Sequence, residues 1–189
     1  EVIRTPADDA IGYIKKTVIG DVMNIKKVRV DKEGTGMGWG AVYAQYLESM
    51  DQIGEQGNGL SVSRQLYKGD EALNESAPLK VGDRITVRLT VKADRDMDFV
   101  QIKDDRAACM EPLQAVSGFR WSNGLGYYQA TKDASTQFFI DQMRKGTYVI
   151  EYQVYVNRTG EYQAGIATVQ SAYAPEFGGH TGGYRVMVE

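Results

Sequence analysis

The chain has 189 residues, 42% of them hydrophobic and 25% charged, a globular profile that excludes a disordered tail and leaves room for one large domain or two small ones. Its formal charge of −3 and pI near 5.3 give no basic footprint, which excludes nucleic acid and anionic membrane surfaces as expected partners. A single cysteine, Cys109, cannot close an internal disulfide, a single histidine, His180, cannot build a histidine-rich metal site, and no run approaches the roughly 20 apolar residues of a membrane-spanning helix.

In chain order, Glu1 stands where an initiator methionine would, and no signal peptide opens the chain, so the N-terminus reads as processed or cut from something longer. Gly34-Thr35-Gly36-Met37-Gly38-Trp39-Gly40 lacks the Gly-Lys-Ser/Thr ending of a phosphate cradle and the strand-to-helix setting of a dinucleotide fingerprint, and reads as a loop. Trp39, Val42, Tyr43, Tyr46, Leu47 and Met50 follow the spacing of an amphipathic helix face. The aromatic density and the glycines before it argue for a strand instead. Residues 51–58 read as a loop. The polar stretch Lys68 to Pro78 reads as a linker between two modules, with a boundary near residue 66.

The remainder alternates with period two. Ile85, Val87, Leu89 and Val91 are separated by threonine, arginine and lysine, which predicts a half-buried antiparallel strand over 84–92. Tyr148, Ile150, Tyr152, Val154 and Val156 repeat the pattern, as do Tyr184, Val186 and Val188. Further strands are expected at Phe99–Lys103, Gln137–Asp141 and Glu161–Ala167, punctuated by turn formers at 122–126, 145–146 and 157–160. Several short alternating strands with turns between them predict an all-β, antiparallel β-sandwich, preceded by a smaller partial β module.

The candidate chemistry is thin. Asp94, Asp96 and Asp98 are an acidic cluster without an EF-hand's glycine and distant glutamate, and read as a solvated hairpin turn. Asp104-Asp105-Arg106 reads as a surface ion pair. Cys109 lies in an apolar stretch and reads as a buried, inert thiol. His180, within Gly178-Gly179-His180-Thr181-Gly182-Gly183, sits in what reads as a flexible loop, poorly suited to holding a general base for that thiol. No nucleophile-elbow, HExxH or CxxC pattern is present. The 12 tyrosines read as strand and sheet-edge residues; the sharper alternative is a carbohydrate-stacking or adhesive module of the cell envelope using Trp121, Tyr127 and Tyr128.

One resemblance covers nearly the whole chain. Trp39-Gly40-Ala41-Val42-Tyr43-Ala44-Gln45-Tyr46-Leu47-Glu48, Gly59-Leu60-Ser61-Val62-Ser63-Arg64, Val81-Gly82-Asp83-Arg84-Ile85-Thr86-Val87, Phe138-Phe139-Ile140-Asp141, Lys145-Gly146-Thr147-Tyr148, Thr159-Gly160-Glu161-Tyr162 and Tyr173-Ala174-Pro175-Glu176-Phe177 follow the same order as in the C-terminal end of bacterial alpha-2-macroglobulin-like proteins. The resemblance implies a parent that is a large endopeptidase inhibitor of the Gram-negative periplasm or cell envelope. The resemblance implies that residues 1–65 are a CUB-like β segment following the thioester domain, which is why Trp39 to Glu48 is expected as strand. It implies that 66–189 form the last macroglobulin domain, the counterpart of the receptor-binding domain. Its implied role is non-catalytic and needs no cofactor. The implied partners are the thioester domain and other domains of the same parent chain and, indirectly, target proteases; the reactive bond of the thioester domain would be shielded by Tyr173 in a loop shaped by Pro175 and Glu176. Ala172 departs from the methionine usual before that tyrosine, and Cys109 is not in the Cys-x-Glu-Gln context that forms a thioester.

Overall fold

The structure, a computed structural model, describes residues 13–20, 25–74 and 77–189. The chain divides into Glu1–Gln45 and Tyr46–Glu189. In the first unit the described residues form neither helix nor strand and are exposed throughout. Local ties there include the Arg29–Asp31 ion pair and the Lys32 ammonium donating to the carbonyls of Gly34 and Thr35. The expected strand over Trp39 to Glu48 is absent: those residues carry no regular secondary structure, with Trp39 90% and Tyr43 89% exposed. A strand needs a neighbour to take its N–H and C=O groups, and no described segment pairs with this one. Residues 1–12 and 21–24 of the expected CUB-like segment lie outside the described residues.

The second unit opens with a short 3-10 turn at Met50–Gln52 and continues as fourteen strands: β1 (Gln56–Asn58), β2 (Leu60–Lys68), β3 (Glu71–Ala72), β4 (Arg84–Ala93), β5 (Met97–Asp105), β6 (Met110–Pro112), β7 (Gly118–Ser122), β8 (Leu125–Thr131), β9 (Ser135–Met143), β10 (Gly146–Val156), β11 (Gly160–Ala164), β12 (Ala167–Ser171), β13 (Gly178–His180) and β14 (Tyr184–Val188). This is the all-β antiparallel sandwich expected. One layer runs β6-β10-β4-β2, with β3 paired to β2. The other runs β12-β5-β9-β8-β7, and β1 and β13 carry the hydrogen bonding around the corner between them. A separate pair, β11-β14, packs Ala164, Val186 and Val188 into the same core. Among the described residues no helix is long and apolar enough to cross a membrane.

Alternation explains the layering. In β4, Ile85, Val87, Leu89, Val91 and Ala93 are buried while the residues between them are partly or fully exposed. In β5, Val100 and Ile102 point inward, and in β10 Ile150, Val154 and Val156 do. Each such side chain, taken fully out of water, contributes about 1.5–3 kcal/mol of burial. Phe138 of β9 links the layers, edge-to-face with Tyr127 at 5.7 Å and tilted against Tyr152 at 5.9 Å.

Three expectations about organisation are corrected. The boundary near residue 66 falls inside β2, which pairs with β4 from Leu60↔Ala93 to Tyr67↔Thr86 without a break; a continuous ladder belongs to one sheet. The stretch Lys68 to Pro78 is therefore a connection within the sandwich: β3 turns back onto β2, and Leu73 N–H donates to the Leu66 carbonyl at 2.8 Å. The turn at Asp94 to Asp98 is not a hairpin, because β4 pairs with β2 and β10 while β5 pairs with β9 and β12. It carries the chain from one layer to the other.

Candidate functional site

The connection from β12 to β13 is the loop Ala172–Phe177, and its geometry follows from its ends. Ser171 N–H donates to the Phe177 carbonyl at 3.0 Å and Phe177 N–H to the Ala174 carbonyl at 2.9 Å, closing a tight turn around Pro175. The Gln170 amide donates to the Pro175 carbonyl at 3.3 Å, and the Asn58 amide to the Glu176 carbonyl at 2.7 Å. The Phe177 ring anchors the far side: Arg95 stacks over it at 4.6 Å. Gly59, at φ +69°, lies so close that a Cβ there would stand 2.7 Å from the ring.

Tyr173 projects from this braced loop with 80% of its surface exposed. Among the described residues its ring partner is Phe99 of β5, edge-to-face at 5.1 Å. Phe99 sits at φ 52°, the left-handed region that costs a bulky residue about 1–2 kcal/mol. Its carbonyl accepts from Ala172 N–H at 2.9 Å, so the loop and the strained residue hold one another. Tyr173, Pro175 and Glu176 thus form one rigid feature, in which Pro175 and Glu176 contribute backbone carbonyls. Phe99 is the member that sequence reasoning passed over; its signal is a large aromatic on the solvent parity of β5, between Asp98 and Val100.

A second cluster lies inside the sandwich. Arg64 of β2 and Asp104 of β5 form an ion pair across the layers, with side chains 4% and 1% exposed. The Arg64 guanidinium also donates to the Gly165 carbonyl at 2.7 Å and stacks over Tyr184 at 4.3 Å, while the Tyr152 hydroxyl donates to the other Asp104 oxygen at 2.7 Å. Burial works against the Arg64 charge, but Asp104, together with Tyr184 and Tyr152, outweighs it and holds the guanidinium above its ordinary pKa. Burial, reinforced by Asp104, pushes the Tyr152 phenol well up; burial, partly opposed by Arg64, raises Tyr184. The expected surface pair within Asp104-Asp105-Arg106 is corrected accordingly. Asp104 turns inward to Arg64, Asp105 pairs with Lys103 at 3.0 Å, and the buried Arg106 is held by Thr136 and the carbonyls of Lys132 and Asp133. The cause is strand parity: Asp104 shares a face with Val100 and Ile102.

The other candidates do not converge. Asp94 pairs with Arg95, and Asp96 accepts from the Lys145 N–H at 2.7 Å; among the described residues no group of three or more potential ligands could hold a metal ion. Cys109 is fully buried, as expected, and burial raises its pKa. His180 is not in a flexible loop but ends β13, opposite Gln56 and Thr168. The neighbouring glycines serve crowding, since a Cβ on Gly179 would stand 2.7 Å from the carbonyl oxygens of Gln56 and Leu60. Tyr127, one of the three residues of the carbohydrate alternative, is a core residue at 6% exposure, whereas Trp121 and Tyr128 face outward.

A model of the family described as Bacterial Alpha-2-macroglobulin MG10 domain matches residues 59–176, more than half of the chain and the span from β2 to the Tyr173 loop. The chain belongs to the bacterial alpha-2-macroglobulin MG10 domain family. The solved structures that it resembles are those of longer molecules. Salmonella alpha-2-macroglobulin reacted with methylamine superposes with a TM-score of 0.61 at 19% identity, over 72% of this chain and 10% of that one. The native Escherichia coli protein from domain MG7 to the C-terminus gives 0.60 at 17%, over 71% and 24%. The E. coli protein activated by porcine elastase gives 0.62 at 16%, over 72% and 14%. At these identities the likeness is one of fold. Circularly permutated Ras protein 2 of Dictyostelium discoideum is 27% identical over 166 residues, 84% of this chain and 4% of its own length. The chain therefore spans 4% of that curated relative and between 10% and 24% of these solved chains. It is an alpha-2-macroglobulin-like C-terminal region.

Proposed function

We propose that this chain is the non-catalytic end of an alpha-2-macroglobulin-type protease trap, and that its Tyr173 loop packs on the thioester domain of the same parent chain and covers the reactive bond. The observation that carries the reading is a ring 80% exposed yet braced, edge-to-face on Phe99, in a loop tied at both ends. A rigid aromatic excludes water from an activated acyl group with little ordering entropy left to lose, and its withdrawal exposes that group. Phe99 supplies the packing that Ala172, with a single methyl group, does not. Support also comes from the relatives: the Salmonella protein reacts with methylamine, and the E. coli protein is activated by trypsin and by porcine elastase.

On this reading the segment before β1 is a CUB-like piece, and the exposed stretch from Trp39 to Leu47 takes up strand structure against sheet supplied by the parent chain. The setting is the periplasm or envelope of a Gram-negative bacterium. The test uses the full parent protein. Tyr173→Ala is expected to raise the rate of inactivation by methylamine. Phe99→Gly is expected to do the same at nearly unchanged stability, because relief of the left-handed φ offsets a lost ring contact worth about 0.5–1.5 kcal/mol. An unchanged rate in Tyr173→Ala, or a parent with no thioester to titrate, overturns the proposal.

A further inference from the structure

The solvent face of the β7-β8-β9-β5 layer carries a row of aromatic and amide side chains that the core does not use. Cross-strand pairing sets Phe119 opposite Tyr128, Tyr128 opposite Phe139, and Phe139 opposite Gln101. Directly paired residues share a face at strand spacing, about 4.8 Å. Phe119 and Phe139 are 80% and 39% exposed, and the Phe119 and Tyr128 rings meet edge-to-face at 5.1 Å. Alongside runs a second row, in which Trp121 is opposite Gly126. A Cβ on Gly126 would stand 2.9 Å from two adjacent atoms of the indole six-membered ring, so the indole lies across the glycine with its outer side in solvent, 75% exposed. The Gln101 amide donates to Gln137 at 3.5 Å beside the rings. Across these rows charge enters at Asp141 and at Lys103, the latter paired with Asp105.

We infer that this face binds an extended, uncharged oligosaccharide. The C–H face of a pyranose stacks on an aromatic ring laid parallel to a surface, and its hydroxyls exchange hydrogen bonds with amides and a carboxylate. Trp121 is held in that attitude by Gly126, Phe119 and Phe139 continue the platform, and Gln101, Gln137 and Asp141 supply the polar partners. An anionic ligand would need uncompensated cations, whereas Lys103 is paired with Asp105 and Asp141 adds negative charge. The apolar run is short, Phe119, Tyr128 and Phe139, and gives way to Gln101 and Gln137 at β5 and β9, so hydrogen-bonding groups stand beside the rings in place of the broad apolar centre that a protein partner wants. The inference does not depend on the Tyr173 proposal.

The test uses the 189-residue chain with Trp39→Phe, which leaves Trp121 as the one tryptophan. Titration with cellohexaose and with chitohexaose is expected to give a saturable change in Trp121 emission for at least one of them, at a Kd of about 1 mM or tighter. Calorimetry on Trp121→Ala and on Phe139→Ala is expected to show binding weakened by about tenfold or more, with unchanged circular dichroism, since both side chains are exposed. Absence of binding by both sugars, or binding undiminished in the two variants, overturns the inference. So does a dimer in ultracentrifugation that Trp121→Ala dissociates, because a second copy then covers the face through the edge strand β7.

Discussion

Arg64→Met tests whether the sandwich depends on its buried ion pair. The substitution removes the charge facing Asp104, the hydrogen bond to the Gly165 carbonyl and the cation over Tyr184, and leaves a carboxylate with a 1% exposed side chain supported by the Tyr152 hydroxyl. Stranding one member of a buried pair costs about 3–5 kcal/mol, against the roughly 5–15 kcal/mol that holds a domain together. With a urea dependence of about 2 kcal/mol per molar, the unfolding midpoint is expected to fall by about 2 M. The triple variant Arg64→Met, Asp104→Leu, Tyr152→Phe removes the stranded charge and the hydroxyl left without an acceptor, and is expected to be more stable than Arg64→Met alone. Should the methionine variant not fold, Arg64→Lys reports instead: it keeps the charge but not the planar fork, and is expected to lose about 1–2 kcal/mol. A loss below about 1 kcal/mol in Arg64→Met, or a triple variant worse than the single one, refutes the reasoning.

Two further outcomes follow from the same core. Tyr152 and Tyr184 both have folded-state pKa values raised above the unfolded value near 10. The folded protein therefore holds protons that the unfolded chain releases; the tyrosine contribution is complete below about pH 10 and declines as pH rises through the alkaline range, less steeply in Tyr152→Phe, while the buried Cys109 thiol, also raised, adds a loss that begins at about pH 8.5. Urea midpoints measured from pH 9 to 11.5 (about the range in which free tyrosine titrates) check this, and a level profile contradicts it. Gly165→Ala would bring a Cβ to 2.4 Å from that of Asp105, beside the Arg64 network, and is expected to cost about 1–3 kcal/mol in urea unfolding. Gly118→Ala, with nothing within 4 Å, is the control and is expected to stay within about 0.5 kcal/mol.

Period-two alternation made β4, β5, β9, β10, β11 and β14 legible, and with them their buried faces. It also carried a signal that goes beyond strand location. Arg64 shares its parity with Leu60 and Val62, and Asp104 with Val100 and Ile102, so one inward arginine and one inward aspartate were written into two strands. Their meeting was not, because parity is local whereas the pairing of strands forty positions apart is a choice among layer arrangements. The same distinction separates Tyr127 from Tyr128: neighbours face opposite ways by geometry, and only the packing of Phe138 and Tyr152 decides which ring is core. Trp39 to Leu47 reads as helix by spacing and as strand by composition, yet is neither, since a backbone without a partner has no sheet to join. Local chemistry determined the all-β class, the turns and the faces. Tertiary structure alone decided that Arg64 would find Asp104 and that Phe99 would brace Tyr173, because both contacts join residues distant in the chain and brought together by strand order.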